Sequence, residues 1–282
     1  MAAPPPRGVS IDIGGRRLHV VRAGPSDGQP MVLLEAGSFG FSADWSVVQA
    51  RLAARGVGSI AYDRAGLGHS DPGPLPRDAL AVAADLEALL AAIGEAGPVV
   101  HVGPSMAGLH AHVFAGRNPG RIAGLVLVDA VTPASAATPA ARRIARQYVR
   151  LARSAAWAAG AGLLRPLQGM GDTIGLTAEA APHKRWAFAH GPHNRAAADE
   201  VVAWEVAVDQ ARAAGGLDPD WPVAVVTAGP TRLDLMAAPA RASRHGHIAH
   251  VRRANHASLL GRRHADAIVE AIEHVRQAAS RT

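Results

Sequence analysis

Val99-Val100-His101-Val102-Gly103-Pro104-Ser105-Met106-Ala107-Gly108 is an apolar run that turns around a single serine. The residues before Gly103 read as a buried strand. After the turn, Met106, Leu109, Val113 and Phe114 stand among polar and small neighbours and read as a helix. A strand that reverses into a helix so quickly leaves its apex strained, and only small neighbours fit across the turn. The apex hydroxyl then projects into solvent at the carboxyl edge of a sheet, with a helix N-terminus behind it, which is how a nucleophile is presented. The same stretch also reads as a plain strand–turn–helix in which Ser105 merely caps the helix.

Strands and helices alternate on both sides of this segment. Residues 9–21, with Gly14-Gly15 in the middle, predict an amino-terminal hairpin. Strands are expected at 31–36, 59–63, 124–129, 222–229 and 247–251. Helices are expected from Ser42 or Asp44 to Arg55, from Arg77 to Ile93 with Leu80 on its apolar side, and from His264 to Ala278. Near-continuous apolar strands separated by helices predict an α/β fold with a mostly parallel eight-stranded sheet covered on both faces.

The interval between Val131 and Asp220 is too long for a loop and carries helical patterns at 140–157 and 196–214. It reads as a helical cap, residues 131–219, inserted over the strand ends of a core formed by 9–130 and 220–282, with 1–8 as a disordered tail. Arg142, Arg146, Arg150 and Arg153 share one face of the first cap helix. That face reads as a solvated outer surface, with an anionic substrate or a membrane as the alternative contact.

Composition sets limits. The chain has 282 residues, enough for one large domain with a sizeable core. With no cysteine, disulfides, thiol nucleophiles and thiolate metal sites are excluded. The net charge of +6 comes with 4% aromatic residues and no aromatic-interleaved basic tract, so no nucleic-acid partner is expected. Residues 1–7 lack the apolar core of a secretory signal, and no apolar stretch approaches ~18 residues. A cytoplasmic chain without stable membrane insertion is the expectation. The pairs His110/His112 and His245/His247 lack a companion carboxylate set, so no metal is expected and no cofactor is called for.

Taken together, Leu34-Glu35-Ala36-Gly37-Ser38, Asp44-Trp45, Tyr62-Asp63-Arg64-Ala65-Gly66-Leu67-Gly68-His69-Ser70, Gly103-x-Ser105-x-Ala107-Gly108 and Gly124 to Ala130 resemble the α/β-hydrolase fold family. Within it they are most similar to the capped single-domain bacterial serine hydrolases. The resemblance covers residues 9–135 and 220–278. It implies Ser105 as nucleophile and His256, just after the last strand, as base. It places the acid either at the end of the strand after the nucleophile helix, where Asp129 stands, or in the turn after the strand at 222–229. There Arg232 occupies the usual slot and Asp234 follows two residues late. Asp129 is the preferred acid and Asp234 the alternative.

The same resemblance implies an oxyanion hole from the Ser38 and Met106 amides, with Gly37 allowing the tight turn. Asp63-Arg64 is read as structural, holding the loop beside the pocket. Substrate contacts are assigned to Gly37 and Phe39 and, from the cap, to Trp157, Trp186, Phe188 and Trp204. Pro104 and Ala107 depart from the family's usual residues around the serine. The expected activity is hydrolysis of a small or medium ester, thioester or lactone through an acyl-enzyme. Non-hydrolytic chemistry in the same pocket (cyclisation, elimination or acyl transfer) is the alternative, followed by silent ligand binding. The expected partner is a small-molecule substrate, and the lid and sheet edge leave surfaces for a homodimer.

Overall fold

A computed structural model of the chain describes residues 3–26, 28–230 and 234–281. Its strands are β1 (Val9–Asp12), β2 (Arg17–Ala23), β3 (Met31–Glu35), β4 (Ser59–Tyr62), β5 (Val99–Pro104), β6 (Ile122–Val128), β7 (Val223–Ala228) and β8 (His247–Val251). They form one open sheet in the order β1-β2-β4-β3-β5-β6-β7-β8. The pairs β1/β2 and β2/β4 are antiparallel and every other neighbour is parallel. From β3 the chain steps outward to β4, then crosses back to β5 on the other side. This reversal opens a crevice at the carboxyl ends of β3 and β5, where open α/β sheets place ligands.

Five core helices cover the sheet: α1 (Ser46–Ala54), α2 (Ala79–Ala92), α3 (Ala107–Arg117), and, numbered in chain order after the cap, α9 (Asp234–Ala242) and α10 (Asp266–Ala279). On one face Leu86, Leu89 and Leu90 of α2 and Leu109 and Phe114 of α3 pack on Leu33, Ile60 and Leu125. On the other, Val48 and Leu52 of α1 and Ile268, Ile272 and Val275 of α10 pack on Val32, Leu34, Val100 and Val126. Alternate residues of one strand therefore enter opposite layers, which is why these strands read as unbroken apolar runs. Leu80 is exposed, because the buried stripe of α2 runs through Ala79, Val82, Ala83, Leu86, Leu89 and Leu90 and position 80 lies off it.

Between β6 and β7 lie α4 (Pro133–Ala136), α5 (Pro139–Gly160), α6 (Ala181–Ala189), α7 (Gly191–Val202) and α8 (Trp204–Ala213). The pattern at 196–214 is two helices rather than one, divided at Ala203. Helices α6 and α9 lie outside the expected elements, and α6 has weak apolar periodicity. In α5 the buried stripe is Ala145, Ala152 and Ala159, so Arg142, Arg146, Arg150 and Arg153 face outward. Of the tail expected to be disordered, residues 1–2 lie outside the described residues. Gly8 is tied to the core, its N–H donating to His19 Nε2 at 3.2 Å. No helix among the described residues is long and apolar enough to cross a membrane.

Candidate active site

The turn at Ser105 is as tight as its sequence requires. Ser105 sits at φ +54, and its N–H donates to Val128 O at 3.2 Å. A Cβ on Gly103 would meet the Ala107 methyl at 3.1 Å, and one on Gly108 would meet Val131 O at 2.5 Å. The bare Gly103 is thus what accommodates Ala107. Pro104 costs no ladder bond. Because Ser105 N–H faces β6, alternation turns the Pro104 nitrogen toward β3, whose last residue paired with β5 is Leu34, opposite Val102.

Only three non-glycine residues among those described have positive φ: Phe39, Ser105 and Asp129. All three lie just past the carboxyl ends of β3, β5 and β6. Strained backbone of this kind persists where surrounding structure over-determines it, and it clusters at functional sites. Asp129 is anchored by its own N–H, which donates to Val226 O at 2.6 Å, and by Ala228 N–H, which donates to its Oδ1 at 3.2 Å. Its Oδ2 accepts from His256 Nδ1 at 2.7 Å. The Asp129 side chain is 12% exposed and that of His256 is 54% exposed. The imidazole therefore has one nitrogen fixed by a sheltered carboxylate and the other free for chemistry.

Ser105 and His256 line one cavity of about 200 Å3 with Gly37, Ser38, Tyr148 and Lys184. The Ser105 hydroxyl makes no hydrogen bond among the described residues; such contacts often tighten only when substrate binds. Gly37 approaches closely, since a Cβ there would lie 3.2 Å from Ser105 Cβ and 3.3 Å from Pro104 O. Ser38 Oγ reaches Met106 Sδ at 3.6 Å, so the two residues face each other across the turn. Neither the Ser38 nor the Met106 N–H has an acceptor among the described residues.

Asp234 lies elsewhere. It begins α9 with its side chain 75% exposed and paired to Arg241 Nη2 at 2.6 Å. Arg232 lies outside the described residues. The cap aromatics expected to contact substrate, Trp157, Trp186, Phe188 and Trp204, do not line the Ser105 cavity. Trp157 is 70% exposed, because the alanine stripe of α5 takes the inward face. Trp186 is buried between His69 and His190, stacked at 5.1 and 4.4 Å. Trp204 packs edge-on against Tyr148, as Phe39 does from the other side. Phe188 likewise is absent from the lining.

A buried ionic frame supports the loop after β3. Arg64 donates from Nη2 to Gly37 O at 3.1 Å and from Nη1 to Ala36 O. Its Nε and Nη2 also grip Glu200 of α7, at 2.8 and 2.7 Å. Below it, Glu35 accepts from His101 Nε2 at 2.9 Å and His110 Nδ1 at 2.6 Å. Burial alone would raise the Glu35 carboxyl, but the two histidines hold it well below the usual carboxylate range. Asp63 accepts from His19 Nδ1 and from the Ser42 and His69 amides.

None of the cap residues that line the cavity, Lys184 and Tyr148 among them, is marked as a site residue by the sequence. Lys184 of α6 donates to Asp44 Oδ2 at 2.8 Å and to Phe39 O at 3.1 Å, and Tyr148 comes from α5. Neither sits in a motif, so only the docking of the cap could have revealed them.

Comparison with known proteins agrees with this fold. Residues 30–166 match the family model for the alpha/beta hydrolase fold. The chain is 36% identical over 128 residues to a probable transporter of Hormonema carpetanum and 37% identical over 111 residues to a non-heme chloroperoxidase of Streptomyces lividans. Those matches cover 43% and 39% of this chain and span only 18% and 40% of the relatives' own lengths. Among solved structures, a thermophilic esterase from Thermogutta terrifontis superposes with TM-score 0.68 at 22% identity, covering 96% of this chain and 98% of that one. The enol-lactonase of Burkholderia xenovorans LB400 gives TM-score 0.68 at 18% identity, covering 94% and 98%. The chain has the α/β-hydrolase fold, and just under half of it matches that family's model.

Proposed function

We propose that this protein is a serine hydrolase that cleaves a small ester, thioester or lactone through an acyl-enzyme. The observation that carries the reading is the 2.7 Å pairing of His256 Nδ1 with Asp129 beside a strained Ser105 in one cavity. A serine hydroxyl is a poor nucleophile at neutral pH and needs an oriented base. Asp129 fixes the imidazole so that Nε2 is the acceptor. As Ser105 Oγ bonds to the substrate carbonyl carbon, its proton passes to Nε2. The carbonyl oxygen gains charge opposite the Ser38 and Met106 N–H groups. Collapse of the tetrahedral adduct breaks the bond to the leaving alcohol or thiol, which takes the proton from His256. Water then attacks the acyl-enzyme by the same steps and restores Ser105. Each oxyanion donor is worth ~3–4 kcal/mol of transition-state stabilisation. A cavity of about 200 Å3 favours a short acyl group.

A fluorophosphonate probe read by intact mass tests this. The expected result is one adduct on the wild type and none on Ser105→Ala, with turnover of 4-nitrophenyl acetate lost in the same variant. An unlabelled wild type sinks the proposal. Labelling without turnover of any short-chain ester or lactone shifts the reading to acyl transfer or cyclisation.

A further inference from the structure

A second cavity is larger than the one beside Ser105. It encloses about 900 Å3 between the loop that follows β4 and the cap, and it shares no lining residue with the Ser105 cavity. Its wall carries Arg77, Arg165 and Arg195, against a single lining carboxylate, Asp199. Arg165 and Arg195 are exposed and make no ion pair among the described residues. Arg77 is only 3% exposed, and its Nε and Nη1 have no hydrogen-bond partner.

The charge of Arg77 is not cancelled by its surroundings. Its Nη2 pairs with Asp85 at 2.7 Å, but Asp85 is shared with Arg16, so one carboxylate serves two guanidinium groups. Glu200, the other acid near it, is already held by the two-bonded fork of Arg64. Gly73 lets the cavity wall pack directly on the guanidinium, since a Cβ there would lie 2.8 Å from Arg77 Nη1. The first turn of α7, with Gly191 and Pro192, forms part of the same wall, and its His190 cap makes no side-chain bond to the helix amides. A helix start with open amides adds further positive potential. A buried cation whose charge is only partly met, with two of its nitrogens lacking partners, is costly unless something anionic meets it.

We infer that this cavity is a second binding site, separate from the Ser105 site, for the phosphoryl or carboxylate group of a small organic anion. Arg165 and Arg195 contact the anionic group at the mouth. Arg77 supplies charge from the floor, and the remaining volume, within the usual range for small-molecule sites, takes the organic part.

Calorimetric titration with phenyl phosphate, benzoate and benzyl alcohol tests it. Saturable binding of at least one anion and none of the alcohol is expected, and the tighter anion identifies the group recognised. The double variant Arg165→Gln/Arg195→Gln is expected to weaken that binding at least tenfold. Both side chains are exposed, so its thermal midpoint should match the wild type, whereas Arg77 variants carry a folding risk. Lys184→Gln, which removes the cation of the Ser105 cavity, should leave binding within twofold. The inference is overturned if neither anion binds at millimolar concentration, if the alcohol binds equally well, or if Lys184→Gln weakens binding and the arginine variant does not.

Discussion

Phe39, Ser105 and Asp129 carry the backbone strain of this molecule, and each does so beside a group the proposed chemistry needs. Replacing Asp129 by Asn leaves its shape but lets the imidazole adopt the wrong tautomer. A fall in kcat on the order of 10^4 is expected with little change in KM. Asp234→Asn, at an exposed ion pair on α9, should leave ester turnover unchanged. Steady-state kinetics on the two variants separate the candidate acids. Gly37→Ala places a methyl 3.2 Å from Ser105 Cβ, so the loop must retreat by a few tenths of an ångström. Misplaced oxyanion donors should then lower kcat/KM on the order of tenfold, with secondary structure unchanged by circular dichroism.

At the scale of elements, the cap is locked to the core by polar contacts as well as apolar ones. His193 of α7 is buried, and its Nδ1 accepts the Gly68 N–H at 3.0 Å, a bond that only the neutral ring can make. Burial, helped by the Lys184 charge, pushes His193 down to about 3. The unfolded chain binds this proton near pH 6.5 and the folded one does not. Stability from this group is therefore complete above about 6.5 and declines as pH falls toward about 3. At pH 5.5 the loss is about 1.4 kcal/mol. Denaturant titrations at pH 7.5 and 5.5 should show a smaller pH-dependent loss, by about that amount, in His193→Gln, which accepts the same amide without titrating, than in the wild type.

This element also marks what local pattern could and could not reveal. The apolar periodicity of α2, α3 and α10 and the uniform runs of β3 to β7 were legible, because each buries a continuous stripe against the sheet. The division at Ala203 and helix α6 were not, since alanine-rich segments carry almost the same apolar signal at every face. The same cause misplaced the tryptophans. In α5 three alanines take the inward side, and Trp157 points outward.

Across the whole molecule, two helical layers clamp the sheet, and their spacing is set where no side chain fits. Gly124 of β6 is such a point: a Cβ would meet Val275 Cγ1 of α10 at 2.4 Å and Pro222 O at 2.8 Å. Gly124→Ala should force the helix off the sheet and cost about 1–3 kcal/mol, seen as a lower denaturant midpoint with an unchanged m-value.

The sequence by itself determined the alternation of strands and helices, the parallel core and the serine at a strand–helix turn. Those features follow from periodicity and steric limits that act over a few neighbouring residues. It named Asp129, Asp234 and His256 as candidates and preferred Asp129 as the acid. Only the tertiary structure brings His256 and Asp129 together across 127 positions while leaving Asp234 at the surface. Strand order and the docking of the cap also decided that Lys184 and Tyr148, rather than the tryptophans, close the cavity, and that three arginines converge on a second one. Contacts of that kind depend on which elements meet in space, and local sequence pattern carries no term for it.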